Sequence, residues 1–478
     1  MIPAALSSML QQGIADFLRM SFWSSTPGMA DVIERFVQTD GAVFKGPYVS
    51  VKLPFRQGGD AEFFPQVPLG FPAHLHQERA WARLRAVTPK STLVATGTGS
   101  GKTESFLLPI LDYCRRNAGT PGVKAILIYP MNALATDQAR RIAELCASIP
   151  SLKGVKAGLY IGESEGEKSV AHASMGEDHI ITDRARMQRD PPDILLTNYK
   201  MLDYLLVRPA DQEMWAPSRD NPVRFLVVDE LHSFDGAQGT DLACLIRRLK
   251  ARLGVARGSL CCVGTSATLG SPDAGTTLRE YAGEIFGEPF DAESVVGETR
   301  QTPEEFFAGH LIELFQVPTA KDRLDPSRYA NPGDYLVAQQ GLWFEEPLEA
   351  EPGSDAWKVA LGEQLLKHAV LRNLVLLVGS KPIAIGELTE SLARTSRPLR
   401  SDPELAMRVV VSFLSLVSAA RAWLPERDEA RREREKRGRP RRTRPLLEVR
   451  LQLWQRELRR MVGDLGDPSS GTPPALRY

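Results

Sequence analysis

Three short segments carry residue types suited to phosphate chemistry, and they follow one another in a set order. Residues 96–103 read Thr-Gly-Thr-Gly-Ser-Gly-Lys-Thr; Asp229-Glu230-Leu231-His232 and Ser266-Ala267-Thr268 come later, each at the end of an apolar run. A glycine-rich turn that opens a helix can wrap polyphosphate with backbone N–H groups, and the helix dipole favours the negative charge. In such a turn Lys102 reaches the outer phosphates and the Thr103 hydroxyl sits on magnesium, so Thr98, Gly99, Ser100, Gly101, Lys102, Thr103 and Glu104 are the nucleotide-contact candidates. Thr96 stands where the strict G-x-x-x-x-G-K-T pattern has glycine, a position that shapes the turn more than it touches phosphate. Attack of water on a terminal phosphate needs a metal to neutralise developing charge and a group to orient the water. Asp229 is the candidate metal partner beside Thr103, Glu230 the water-orienting base, and His232 the link from the nucleotide site to its neighbours. The expected cofactors are ATP and Mg2+.

Gln77 lies one short helix ahead of the loop's strand. A glutamine amide placed there can pair with adenine N6 and N7, the bidentate geometry amides offer that base; the alternative is a plain surface glutamine. Two further segments, YPMNALA at 129–135 and LTNYK at 196–200, end strand-like runs. Asparagine, small hydroxyls and backbone amides at such tips hold sugar-phosphate without reading sequence, and the same residue types cap helices. Both readings stay open on residue type alone.

The elements that must position these residues are short apolar runs alternating with helical stretches between about 71 and 290. The runs are Thr92–Ala95, Ala125–Tyr129, Ala157–Ile161, Ile194–Thr197, Phe225–Val228 and Leu260–Gly264. Runs this apolar suit strands buried on both faces of a parallel sheet with helical crossovers, and ligands of open α/β sheets bind at the carboxyl ends of strands. The expected class is therefore α/β, a parallel sheet with helices on both faces, joined to a helical N-terminal piece and a mainly helical C-terminal region. Four segments are expected: 1–70 helical and extended, 71–290 the nucleotide lobe, 291–425 helical, and 426–478 a basic linker with the start of a further unit. Within the third, KPIAIGELTESLARTSRPLRSDPELAMRVVVSFLSLV fits a winged-helix-like unit or a plain helical bundle. Residues 427–444 hold ten basic and four acidic residues, including RGRPRR, which fits a solvated linker or a phosphate-contacting segment.

Composition narrows the class. The 478-residue chain is 43% hydrophobic and 25% charged with formal net charge +0, so any nucleic-acid surface is local rather than global. The five cysteines, Cys114, Cys146, Cys244, Cys261 and Cys262, form no C-x-x-C pair and are expected as buried thiols in a reducing compartment. No signal peptide or membrane span is read at the N-terminus, so the expectation is a cytoplasmic protein.

In order, Gln77, TGTGSGKT, YPMNALATDQ, LLTNYKMLDYLL, VVDELHSFDGAQGTDLACLIRRL and VGTSATLG resemble the N-terminal motor lobe of superfamily 2 DExH-box helicases, over about residues 71–290. The extension H-S-F-D-G-A-Q-G-T resembles the YprA/MrfA-like DNA helicases and large helicases of anti-phage systems such as Druantia. The resemblance implies a RecA-like fold, adenine recognition by Gln77, phosphate and Mg2+ binding by Lys102 and Thr103, and catalysis by Asp229 and Glu230. It implies coupling of hydrolysis to strand binding by Ser266 and Thr268, and nucleic-acid backbone contact by Pro130, Asn132, Gly162, Thr197 and Asn198. Such helicases also need a second RecA-like lobe with a Q-x-x-G-R-x-x-R element, which residues 291–478 lack. The expected partners are thus DNA, as single strand or duplex junction, a second lobe in a longer chain or partner subunit, and defence-system proteins, with no membrane. On that expectation the chain alone hydrolyses ATP weakly; whether Tyr478 is the natural end is not written in the sequence. An RNA helicase and a nucleotide-switched scaffold without catalysis are the competing readings.

Overall fold

The computed structural model describes residues 3–21, 31–39, 42–59, 62–97, 99–162, 171–256, 258–267, 273–344, 346–379, 381–455, 462–464 and 475–477. Thr98, Thr268 and Tyr478 lie outside the described residues. The chain divides into two compact units, one of Phe55–Thr299 with Glu426–Glu433, the other of Met1–Pro54, Arg300–Pro425 and Arg434–Tyr478.

The first unit is built on seven parallel strands in the order Ala157–Tyr160, Ile194–Thr197, Ala125–Ile128, Phe225–Val228, Cys261–Ser266, Thr92–Ala95 and Val295–Gly297. Side chains alternate between two cores. Ala125, Leu127, Phe225 and Val227 pack with the helices Lys102–Arg116 and Asn132–Ser148, while Ile126, Ile128, Leu226 and Val228 pack with Tyr199–Val207, Gly236–Leu253 and Ala274–Phe286. That two-faced burial is why the strands read as unbroken apolar runs; each fully buried Leu, Ile or Phe stabilises by about 1.5–3 kcal/mol.

Six of the seven strands coincide with the apolar runs. The seventh, Val295–Gly297, pairs in parallel with Leu93–Ala95 beyond the boundary drawn at 290, and its three residues are too short to show a period. Four cysteines are buried, but Cys244 is exposed on the helix Gly236–Leu253, against the expectation for all five.

The second unit centres on strand Phe44–Lys52, which pairs antiparallel with Glu448–Gln455 on one side and Ile383–Ala384 on the other. Glu448–Gln455, read from sequence as the opening of a further unit, here completes this sheet, because its apolar alternation matches that of Phe44–Lys52. Helices Pro332–Phe344, Asp355–Leu366, Ala369–Val378, Ile385–Ala393 and Pro403–Ala419 supply the core. No described helix is long and apolar enough to cross a membrane.

His368 is buried in that core against Trp343, Phe344 and Phe413. Its Nδ1 accepts from Val370 N at 3.1 Å, capping the helix Ala369–Val378, and Nε2 donates to Gln316 O at 3.1 Å. Burial, offset in part by the Gln316 carbonyl, lowers its pKa from 6.5 to about 4. The native state holds the ring neutral more firmly than the unfolded chain does, so this contribution is complete above pH 6.5 and lost as pH falls toward 4, on the order of 3 kcal/mol. Thermal melts across that window are expected to show the loss, and His368→Asn, which keeps a capping acceptor, to flatten it.

Candidate nucleotide-binding site

Register brings the three signature segments to one edge. Ala95 pairs with Ser266, Val228 with Gly264 and with Ile128, and Ile128 with Thr197, so their following residues emerge together at the carboxyl ends of the strands. The loop after Ala95 turns at Gly99 and Gly101, both at φ +78°. Gly101 is required twice over, since a Cβ there would also lie 2.3 Å from Gln77 Nε2. No side chain caps the helix Lys102–Arg116 that it opens, which leaves the first-turn N–H groups to an anion.

A chain of side chains joins the segments. Lys102 Nζ donates to Glu230 Oε1 at 2.9 Å, His232 Nδ1 lies 3.4 Å from Glu230 Oε2, and Ser266 Oγ lies 3.4 Å from His232 Nδ1. Glu230 adopts φ +49°, the single non-glycine residue at positive φ among the described residues. Such a conformation costs on the order of 1–3 kcal/mol and marks sites where the surrounding structure dictates the backbone. Its N–H donates to Thr265 Oγ1 at 2.9 Å, and the same hydroxyl donates to Asp229 Oδ1. Burial pushes the Asp229 carboxyl above the ordinary range, opposed by the Thr265 hydrogen bond and the Lys102 charge. A single half-buried carboxylate suits Mg2+, which takes one or two carboxylates together with substrate phosphates rather than a protein cage.

Several contacts were not legible in advance. Thr265 lies between the apolar run Leu260–Gly264 and the Ser266-Ala267-Thr268 triplet and had no signal of its own. Glu298, just past the seventh strand, accepts from Gly97 N at 2.9 Å, and Thr96 Oγ1 pairs with Ser100 Oγ at 2.7 Å. His76 Nε2 lies 2.9 Å from Ser100 O. Glu104 forms an ion pair with Arg141 and accepts at its carbonyl from Trp81 Nε1, 3.0 Å away. Gln77 is buried: its Oε1 accepts from His74 N at 2.9 Å and its Nε2 donates to Gly101 O at 3.2 Å. One end of the amide thus caps its own helix and the other braces the loop, and beyond these two bonds the group keeps a second N–H and a second Oε1 lone pair.

The other strand ends are tied together. Asn198 Oδ1 accepts from Met201 N at 2.8 Å as a helix cap, its Nδ2 donates to Asn132 Oδ1 at 2.7 Å, and Asn132 Nδ2 donates to Gly162 O at 3.5 Å. Capping and strand-end bridging therefore coexist in one residue. Pro130, Asn132 and Asn198 are half-buried at the edge. Thr197 is fully buried with its hydroxyl donated to Tyr160 O at 2.7 Å, so in this structure it shapes the strand end rather than facing solvent. Arg184, over the Tyr160 ring at 5.2 Å and bonded to Ile161 O at 3.1 Å, adds a cation that the motif reading missed.

Residues 74–274 match the DEAD/DEAH box helicase family. They form a DEAD/DEAH-box helicase domain. The chain is 29% identical to the Druantia protein DruE of Escherichia coli over 49% of its length, and 31% identical to an uncharacterized ATP-dependent helicase of Methanocaldococcus jannaschii over 52%. It spans 18% and 34% of those relatives' own lengths. Among solved structures, the helicase MrfA bound to DNA aligns with 54% of this chain and 33% of its own at 20% identity and a TM-score of 0.40. The helicase domain thus carries its acidic box at the middle of the strand edge, held by Thr265. Thr265→Val, which keeps shape but removes both hydrogen bonds, is expected to lower stability by about 1–3 kcal/mol in chemical denaturation, and Thr265→Ser to restore most of it.

Proposed function

We propose that this chain supplies the nucleotide-binding motor lobe of an ATP-dependent DNA helicase or translocase acting in the cytoplasm in anti-phage defence or DNA repair. The observation that carries the reading is the continuous contact from Lys102 through Glu230 and His232 to Ser266. DNA as substrate is supported by the likeness of the extension after the acidic box to DNA helicases, and defence by the relative named for the Druantia system.

ATP phosphates entering the loop compete for Lys102, with the uncapped helix N-terminus as the second attraction. Loss of Lys102 as partner frees the Glu230 carboxylate to orient a water molecule and take its proton as the γ-phosphate is attacked. Mg2+, held by the Thr103 hydroxyl and the Asp229 carboxylate, would neutralise charge on the outer phosphates. Movement of Glu230 changes what His232 meets, and His232 passes that change to Ser266; Thr268 belongs to the same coupling element. Gln77, with Thr98, Gly99, Ser100, Gly101 and Glu104, positions the nucleotide. Pro130, Asn132, Gly162 and Asn198 form the edge along which a strand's sugar-phosphate lies, while buried Thr197 shapes its strand end. A second RecA-like lobe, in a longer chain or partner subunit, supplies an arginine to the γ-phosphate, a contribution of about 10³ to 10⁵ in rate, so hydrolysis by this lobe alone is slow.

Titration of a fluorescent ATP analogue with Mg2+ tests this. Lys102→Ala is expected to weaken affinity at least tenfold, while Glu230→Gln keeps affinity and lowers DNA-stimulated turnover by about 10²–10⁴. Parental affinity in Lys102→Ala, or parental turnover in Glu230→Gln, refutes the motor assignment.

A further inference from the structure

The second unit carries a strongly charged element that the nucleotide site does not use. Helices Ala369–Val378, Ile385–Ala393 and Pro403–Ala419 are followed by antiparallel strands Arg421–Trp423 and Thr443–Pro445, the order of a helix-turn-helix with a hairpin wing. In DNA-binding versions the later helix lies in the major groove. Here that route is closed, because no residue from Leu405 to Ala419 is exposed, and Val409, Val410, Phe413, Leu416 and Val417 belong to the core.

Exposed charge lies on the hairpin instead. Every residue from Glu435 to Arg442 is exposed, and the stretch sets Lys436, Arg437, Arg439, Arg441 and Arg442 against the one carboxylate of Glu435. Its shape is held from both sides. The helix Asp428–Lys436 ends on Gly438 at φ +60°, with Gly438 N donating to Glu435 O and Arg439 N to Arg434 O, both at 3.1 Å. Arg434 Nη1 donates to Arg439 O at 3.1 Å, and the Arg441 guanidinium stacks over the Trp423 ring at 5.1 Å. At the base, Leu424 N donates to Arg442 O at 2.9 Å and Leu446 N to Ala420 O at 3.0 Å, with Leu446 and Leu447 buried. Among the described residues Arg439 and Arg442 form no ion pair. A hairpin backbone held in place before binding loses less entropy on contact, and the planar forks of the arginines it carries match phosphate oxygens.

We infer that this hairpin is a second nucleic-acid contact, gripping the phosphodiester backbone of duplex DNA without reading its sequence. Duplex is favoured over single strand because single-strand sites add aromatic platforms for the bases. The exposed stretch holds no aromatic residue, and Arg441 covers the Trp423 ring. The motor assignment enters only in naming DNA as the polymer.

The test uses the full chain, a DNA duplex of about 20 base pairs without nucleotide, and a salt titration of the binding constant. With Arg437, Arg439 and Arg442 all changed to Ala, the slope of log K against log salt is expected to become shallower by about 2.7, three contacts at about 0.9 each, while ATP affinity stays parental. The matching triple change to Lys, which keeps charge, is expected to recover most of the slope. A parental slope in the alanine variant overturns the inference, as does failure of the lysine variant to recover. A parental slope beside lost ATP binding in Lys102→Ala removes the hairpin contact and leaves the motor standing; the converse pattern removes the motor and leaves the hairpin.

Discussion

Lys102 and Glu230 are 128 residues apart in sequence, yet their side chains meet at 2.9 Å. That meeting depends on the strand order: the loop's strand and the acidic box's strand flank Cys261–Ser266, and the parallel register ends all three at the same edge. A shift of register by one residue would turn every side chain of a strand to the opposite face. Two apolar cores, one on each side of the sheet, oppose such a shift because each strand residue has a core to leave. The polar edge is thus held by apolar packing some distance below it.

The edge itself is less relaxed than the cores. Glu230 keeps a left-handed backbone that side chains rarely adopt, and the Thr265 hydroxyl holds it by taking its N–H while donating to Asp229. Asp229 carries a desolvated carboxylate, a standing cost that a bound cation would relieve. Alongside, Asn198, Asn132 and Gly162 tie three strand ends by hydrogen bonds through side-chain amides rather than by packing. Polar cross-links of this kind can exchange for a ligand's groups, as buried methyl groups cannot.

The second unit divides the same labours differently. Its longest core helix is enclosed along nearly its whole length, and its charge is displaced to a hairpin anchored by Leu446 and Leu447. His368 shows how fully the interior excludes solvent: an imidazole among three aromatic rings remains neutral well below its ordinary pKa.

How much of this was legible beforehand depended on the range of the interaction. Six strands and the phosphate loop could be read from the chain because two-sided burial demands apolar runs and a left-handed turn demands glycine at positions such as 99 and 101, requirements written locally. Residue type alone also nominated Lys102, Asp229, Glu230 and Ser266 for one chemistry. Tertiary structure decided the partners: that Lys102 faces Glu230, that Thr265 and Glu298 brace the acidic box and the loop, that Gln77 is bound at both ends, and that Glu448–Gln455 completes a sheet begun at Phe44. Each is a contact between segments remote in sequence, and no local period or propensity records which distant strand a residue will lie beside.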